Sequence, residues 1–103
     1  MFKLSFHVPA THLETTKAAV FAAGAGRVGH YDECCWQVLG EGQYRPLAGS
    51  EPFLGEPHTL HKVDEFRVEM VCAASCIAEA VDALKRAHPY ESPSYAVWEI
   101  VEF

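Results

Sequence analysis

The sequence predicts an α+β fold, with a four-stranded antiparallel sheet carrying two helices on one face. Three observations lead there. Four stretches alternate apolar and polar residues, as half-buried strands do. Two stretches repeat apolar residues at spacings of three and four, as helices do. Their order along the chain is strand, helix, strand, strand, helix, strand.

In the first strand Phe2, Leu4, Phe6 and Val8 share one face, and Lys3, Ser5 and His7 the other. Thr11 and Glu14 then have the spacing of a capping box, in which each side chain satisfies a free helical N–H. Leu13, Lys17, Val20, Phe21 and Gly24 fall near one face of the helix that follows, and Gly24 and Gly26 stop it. A second strand is expected from Cys34 to Tyr44, with Cys34, Trp36 and Val38 on one face and Gly40 and Gly42 loosening or bulging its end. From Arg45 to His61 the prolines 46, 52 and 57 and the glycines 49 and 55 predict an irregular segment. One this long inside a compact domain is usually functional. Leu47, Phe53, Leu54 and Leu60 make it too apolar for a linker.

The third strand runs to Cys72, with Phe66, Val68, Met70 and Cys72 facing in and Glu65, Arg67 and Glu69 facing out. Ser75 is the expected N-cap of the second helix, whose stripe is Ile77, Val81, Leu84 and His88. The last strand spans Ser94 to Phe103. Together these make the split βαβ, ferredoxin-like arrangement. Right-handed crossovers give the strand order 4-1-3-2 or its reverse. Residues 1–103 are expected to form a single such domain, since a chain of this size buries about two-thirds of its unfolded surface. The helix-free face has a polar row that can meet water, but Trp36 or Trp98 needs a cover, and a second subunit is the economical one.

Composition narrows the function classes. The net charge of −6, with no basic stripe, argues against nucleic acid, whose phosphates need Lys and Arg. The N-terminal stretch is too short and reaches Pro9 too soon for a signal peptide. No apolar run approaches the ~18 residues of a membrane span. A cytoplasmic location is the default, so Cys34, Cys35, Cys72 and Cys76 are expected as thiols and read as small buried hydrophobes. No serine sits in a G-x-S-x-G context and no cysteine has a base nearby in sequence, so no catalytic activity is expected.

Three groups of residues could touch a ligand. In AHPYESPSY, residues 87–95, His88 follows Lys85 and Arg86 in a last helical turn, where a cation suits the helix dipole. Pro89 stops the helix and Tyr90 can lid the core with its hydroxyl in water. The functional alternative is that His88, Tyr90 and Glu91 meet a ligand. In GAGRVGHY the glycines follow a helix, so this is not the dinucleotide fingerprint, whose glycines precede one. The alternatives are a simple turn or a shallow anion pocket made by Arg27, His30 and Tyr31. His58 and His61, with Glu56, form an H-x-x-H group in a loop that could hold a metal.

The glycine-rich turn, Cys34 and Trp36, G-E-G-Q-Y-R-P at residues 40–46, the strand KVDEFRVEMVC and the A-H-P-Y-E run at residues 87–91 together resemble the inserted middle domain of Nif-three-like (YqfO-type) proteins. The likeness covers nearly the whole chain, with a Trp at position 36 where the family shows a Phe-like aromatic. HPYESP also resembles the end of the second helix in CutA proteins, which share a trimeric ferredoxin-like architecture with PII signalling proteins. The resemblance implies the same fold and a homo-oligomer, with a trimer favoured. It implies no two-metal site, because in the full-length proteins that site lies in domains flanking the insert.

The expectation is therefore a small, non-enzymatic, oligomeric module that binds a small molecule or protein partner. Its site would gather the Gly24–Tyr31 turn, the Gly40–Glu56 segment and His88–Glu91. The alternative is a CutA-like protein binding a divalent or transition metal through His58, His61 and Glu56, with His30, His88, Glu51 or Glu91 as further ligands.

Overall fold

The computed structural model describes residues 1–103. Strand β1, Phe2–Pro9, lies between β3, His61–Cys72, and β4, Tyr95–Glu99. Strand β2, Trp36–Tyr44, pairs along the outer edge of β3. The sheet order β2-β3-β1-β4 is the reverse of 4-1-3-2, and every pairing is antiparallel. Helices α1, Leu13–Ala22, and α2, Ile77–Ala87, fill the two crossovers. The architecture is the ferredoxin-like one expected from the alternation of strands and helices.

Register turns the sequence pattern into a core. Leu4 pairs with Met70 and Val97, and Phe6 with Val68. Leu4, Phe6, Val8, Val68, Met70 and Cys72 meet Leu13 and Val20 of α1 and Ala80 and Leu84 of α2. The same register puts Trp36 and Trp98 on the helix-free face, about half exposed. There Arg67 lies 5.5 Å over the Trp36 ring, and Lys3 and Arg67 both pair with Glu69.

Several element ends differ from expectation, each for a local reason. The Thr11 capping box does not form. Pro9 leads into a 3-10 turn at Ala10–His12, so Thr11 lies inside that turn and bonds His12 instead. Glu14 falls in the first turn of α1 and pairs with Lys17, which also bonds Gln37 of β2. Ser75 is not the cap of α2, because a turn closed by Cys76 N–H on the Ala73 carbonyl puts Cys76 at that position. Strand β2 begins at Trp36, leaving Cys34 outside it and Cys35 exposed rather than buried. Gly40 and Gly42 make no bulge and stay in register with Glu65 and Val63. Strand β4 ends at Glu99, before the last four residues. Gly24, next after the C-cap Ala23 with φ +107°, stops α1 as expected, and the chain turns again at Gly26. Its φ of +78° suits glycine, and a side chain there would strike Phe21 and the Cys34 carbonyl.

The sheet is uneven in length, and this positions the site. β1 pairs with β3 only between Glu65 and Cys72, whereas β2 follows β3 out to His61. The outer ends of β2 and β3 thus leave the sheet as a two-stranded ribbon. The radius of gyration is 14.5 Å, above the roughly 13 Å of a near-spherical domain of this length.

Core and open face should respond differently to truncation. Phe6→Ala, at a fully buried position, is expected to cost about 3–5 kcal/mol in urea unfolding. Trp36→Ala is expected to cost less than about 1 kcal/mol in the monomer, as exposed sites do. Equal losses would contradict this assignment of faces.

Candidate functional site

Where the ribbon leaves the sheet, three segments meet: the end of β2, the irregular segment after it, and the turn after α2. They enclose a cleft of about 450 Å³ whose walls include Tyr44, Phe53, Glu65, Tyr90 and Glu91. The Tyr44 and Tyr90 rings are 5.6 Å apart in an edge-on contact, and Phe53 lies 6.3 Å from Tyr90. The Tyr44 hydroxyl donates to the Leu54 carbonyl at 2.6 Å, which ties the irregular segment to the ribbon. The Glu91 carboxylate accepts the Glu51 N–H through both oxygens at 3.3 Å, which ties the same segment to the turn. Glu65 stands on the last rung shared by β1 and β3, and its carboxylate occupies the space that a side chain on Gly42 would need.

His88 holds the turn in place. Its ring is buried, with Nε2 2.6 Å from the His7 carbonyl oxygen and Nδ1 3.1 Å from the Tyr90 nitrogen. A carbonyl only accepts and a backbone N–H only donates, so Nε2 carries the proton and Nδ1 is bare. This is the neutral ring. Burial lowers the His88 pKa below its ordinary value and His12 adds to that, while the His7 carbonyl and Glu65 oppose it. The expected role as a cation on the helix dipole is therefore corrected. The sequence places His88 in the last turn, but the fold buries it where a charge is costly.

Tyr90 also differs from expectation. Its ring packs 4.9 Å from His88, and its hydroxyl is shut away from water. Burial raises the phenol pKa strongly, with the Glu65 carboxylate and Tyr44 adding to it. The Glu65 carboxylate and the Tyr44 hydroxyl are the polar groups beside it. Burial likewise raises the Tyr44 pKa, Tyr90 lowers it and Glu65 raises it.

Of the residues singled out in the sequence, Tyr90 and Glu91 line the cleft and His88 supports it from behind. Arg27, His30 and Tyr31 do not join them within one chain. Gly26 bonds Val71, which lies about 20 Å from Glu65 along an extended strand, and all three side chains are exposed there. The His61 ring lies 5.4 Å from that of Tyr44 and tilted to it, while Glu56 and His58 are exposed. No three His, Cys, Asp or Glu side chains converge as a metal site. Tyr44, Phe53 and Glu65 escaped sequence reasoning as site residues. The glycine-rich run ending in Tyr44 marked the region, but nothing in it identified those side chains.

No family model matches the chain. It is 41% identical over 99 residues to a Mycobacterium tuberculosis protein named "GTP cyclohydrolase 1 type 2 homolog". It is 37% identical over 98 residues to a Bacillus subtilis protein of the same name. These matches take in 96% and 95% of this chain, but only 26% of each relative's length. Among solved structures, a Bacillus cereus protein described as related to NIF3 superposes with a TM-score of 0.82 at 33% identity, over 98% of this chain and 26% of that one. The chain is a homologue of one segment of the Nif-three-like proteins. The Archaeoglobus fulgidus divalent cation tolerance protein CutA follows the whole of this chain and 87% of its own, with a TM-score of 0.68 at 15% identity. The Bacillus subtilis GlnK–ATP complex gives a TM-score of 0.63 at 15% identity, over 96% of this chain and 80% of that one. These last two likenesses establish a shared fold. No helix of the chain is long and apolar enough to cross a membrane.

The His88 assignment has a pH consequence. The folded imidazole binds a proton less readily than the unfolded one, which titrates near 6.5. Well above that value neither state is protonated and His88 adds no pH dependence. As pH falls below it, the unfolded chain takes up the proton first and the fold loses stability. Urea unfolding at about pH 7.5 and about pH 5.5 should show a larger loss for the wild type than for His88→Gln. Equal losses would contradict the buried neutral ring.

Proposed function

We propose that this chain is a small-molecule-binding or regulatory module without catalysis of its own, with its ligand in the cleft between Tyr44, Glu65 and Tyr90. The observation that carries this reading is the cleft itself, walled by the rings of Tyr44, Phe53 and Tyr90 and lined by a Glu65 carboxylate that no cation pairs. Ligand sites are commonly concave, largely apolar and fitted with a few polar groups, and this cleft has that character. His88 is the imidazole packed against the Tyr90 ring, and both its nitrogens are engaged inside the protein. It therefore supports the wall and does not move a substrate proton. The chain spans about a quarter of the length of the relatives named as GTP cyclohydrolase homologues, so that name by itself assigns it no activity.

The module works as a homo-oligomer in this reading, a trimer by the likeness to CutA and PII proteins. The half-exposed Trp36 and Trp98 on the helix-free face support burial against another copy. A metal-binding role has no converging ligand set in its favour.

Thermal unfolding against a panel of nucleotides, amino acids, amines and sugars tests the binding reading. A ligand at 100 times its dissociation constant stabilises by about 2.7 kcal/mol, so Tm should rise by roughly 10 °C or more. The rise should shrink in Tyr90→Leu. Turnover of any panel compound by the chain alone, or no shift with any of them, would contradict the proposal. Light scattering should give three times the mass of the 11.4 kDa chain, and a monomer would remove the oligomer from it.

A further inference from the structure

We infer that the cleft takes a small organic cation, a primary amine or guanidinium, anchored by the Glu65 carboxylate between the rings of Tyr44, Tyr90 and Phe53. This rests on the reading of the cleft as a binding site and gives that site a ligand class.

The Glu65 carboxylate and the Tyr44 oxygen face a guest as acceptors. The three ion pairs in the chain are Lys3–Glu69, Lys17–Glu14 and Arg67–Glu69, so Glu65 has no cation within 4.0 Å. Tyr44 has already donated its proton to Leu54 and presents only lone pairs to a guest. The Tyr90 phenol keeps its own proton beside the Glu65 carboxylate, whose remaining lone pairs can accept an added donor. The His88 proton points to the His7 carbonyl and is not available to the cleft.

The walls agree with the polar atoms. Aromatic faces attract a cation within about 6 Å of the ring centroid, and three rings line this cleft. A guanidinium suits the arrangement well, because it stacks on a ring and offers a planar fork of donors to a carboxylate. A divalent metal suits it poorly, because no three acidic or imidazole ligands converge. The one basic residue on the lining, Arg45, is exposed and makes no ion pair. It offers the competing outcome, an anion held at the rim.

Gly42 lets the carboxylate lie where it does. A Cβ on Gly42 would overlap Glu65 Oε1. Gly42→Ala therefore moves the carboxylate while keeping every charge, and Glu65→Gln removes the charge while nearly keeping the shape.

Calorimetric titration with agmatine and with butylamine, and with inorganic phosphate as the anionic probe, tests the inference on the full chain. Circular dichroism and Tm of each variant confirm that it folds. Both amines should bind the wild type and phosphate should not. Glu65→Gln should weaken amine binding on the order of tenfold or more, as loss of a charged hydrogen-bond partner does. Gly42→Ala should weaken it as well. Amine binding that ignores both variants overturns the inference. Binding of phosphate alone, lost in Arg45→Ala, overturns the cation but keeps the cleft as a binding site. No binding of any probe overturns the cation, and the ligand panel above then decides whether the cleft binds anything.

Discussion

Two hydrogen bonds on one imidazole join three parts of this fold. His88 leaves the end of α2, reaches the carbonyl of His7 in β1, and accepts the backbone N–H of Tyr90. The helix end, the central strand and the turn that walls the cleft are thereby fixed to one another. The partners His7 and His88 are 81 positions apart in sequence, so this contact closes the second half of the chain onto the first. Each bond is ordinary in strength, but breaking either one strands a buried donor or acceptor, and that is where the cost lies. The ring must be neutral to make both bonds, and its burial keeps it so. Tyr90 then has little choice of position, and its hydroxyl is held beside Glu65 and Tyr44.

The second constraint is the unequal length of the strands. Because β1 stops at Pro9, the outer parts of β2 and β3 have only each other. A two-stranded ribbon is marginal alone. Here the irregular segment returns to it through Tyr44 and Leu54, and to the turn through Glu51 and Glu91. The cleft is what remains between these ties. It lies at the junction of rigid sheet and ribbon, where a bound molecule could brace one against the other. In the Nif-three-like relatives, a segment of this kind makes up about a quarter of the chain.

Much of the fold was legible in the sequence because its signals are periodic. Leu4, Phe6 and Val8 alternate with polar residues, and a period of two survives into the register unchanged. The strand order follows from two right-handed crossovers. The caps differ from expectation because Thr11 and Ser75 carry the right chemistry one residue before the positions where the helices are capped. There the backbone path set by Pro9 and by the Ala73–Cys76 turn decided the outcome. The site was half legible. His88, Tyr90 and Glu91 stood out by composition, but the neutral state of His88 depends on a carbonyl in β1 that no local pattern reveals. Glu65 was read as an outward strand residue, and it is one. Its importance comes from standing on the last rung before the ribbon, which depends on the length of another strand. The Arg27–Tyr31 turn drew attention for its glycines, yet Gly26 is anchored to Val71, toward the other end of β3.

The most direct test of this account is nitrogen-resolved NMR of the His88 ring across about pH 5 to 7.5. The expected spectrum shows Nε2 carrying the proton, Nδ1 bare, and a titration midpoint below the ordinary value near 6.5. A proton on Nδ1, or a midpoint at or above that value, would mean that His88 does not clamp β1 to the Tyr90 turn.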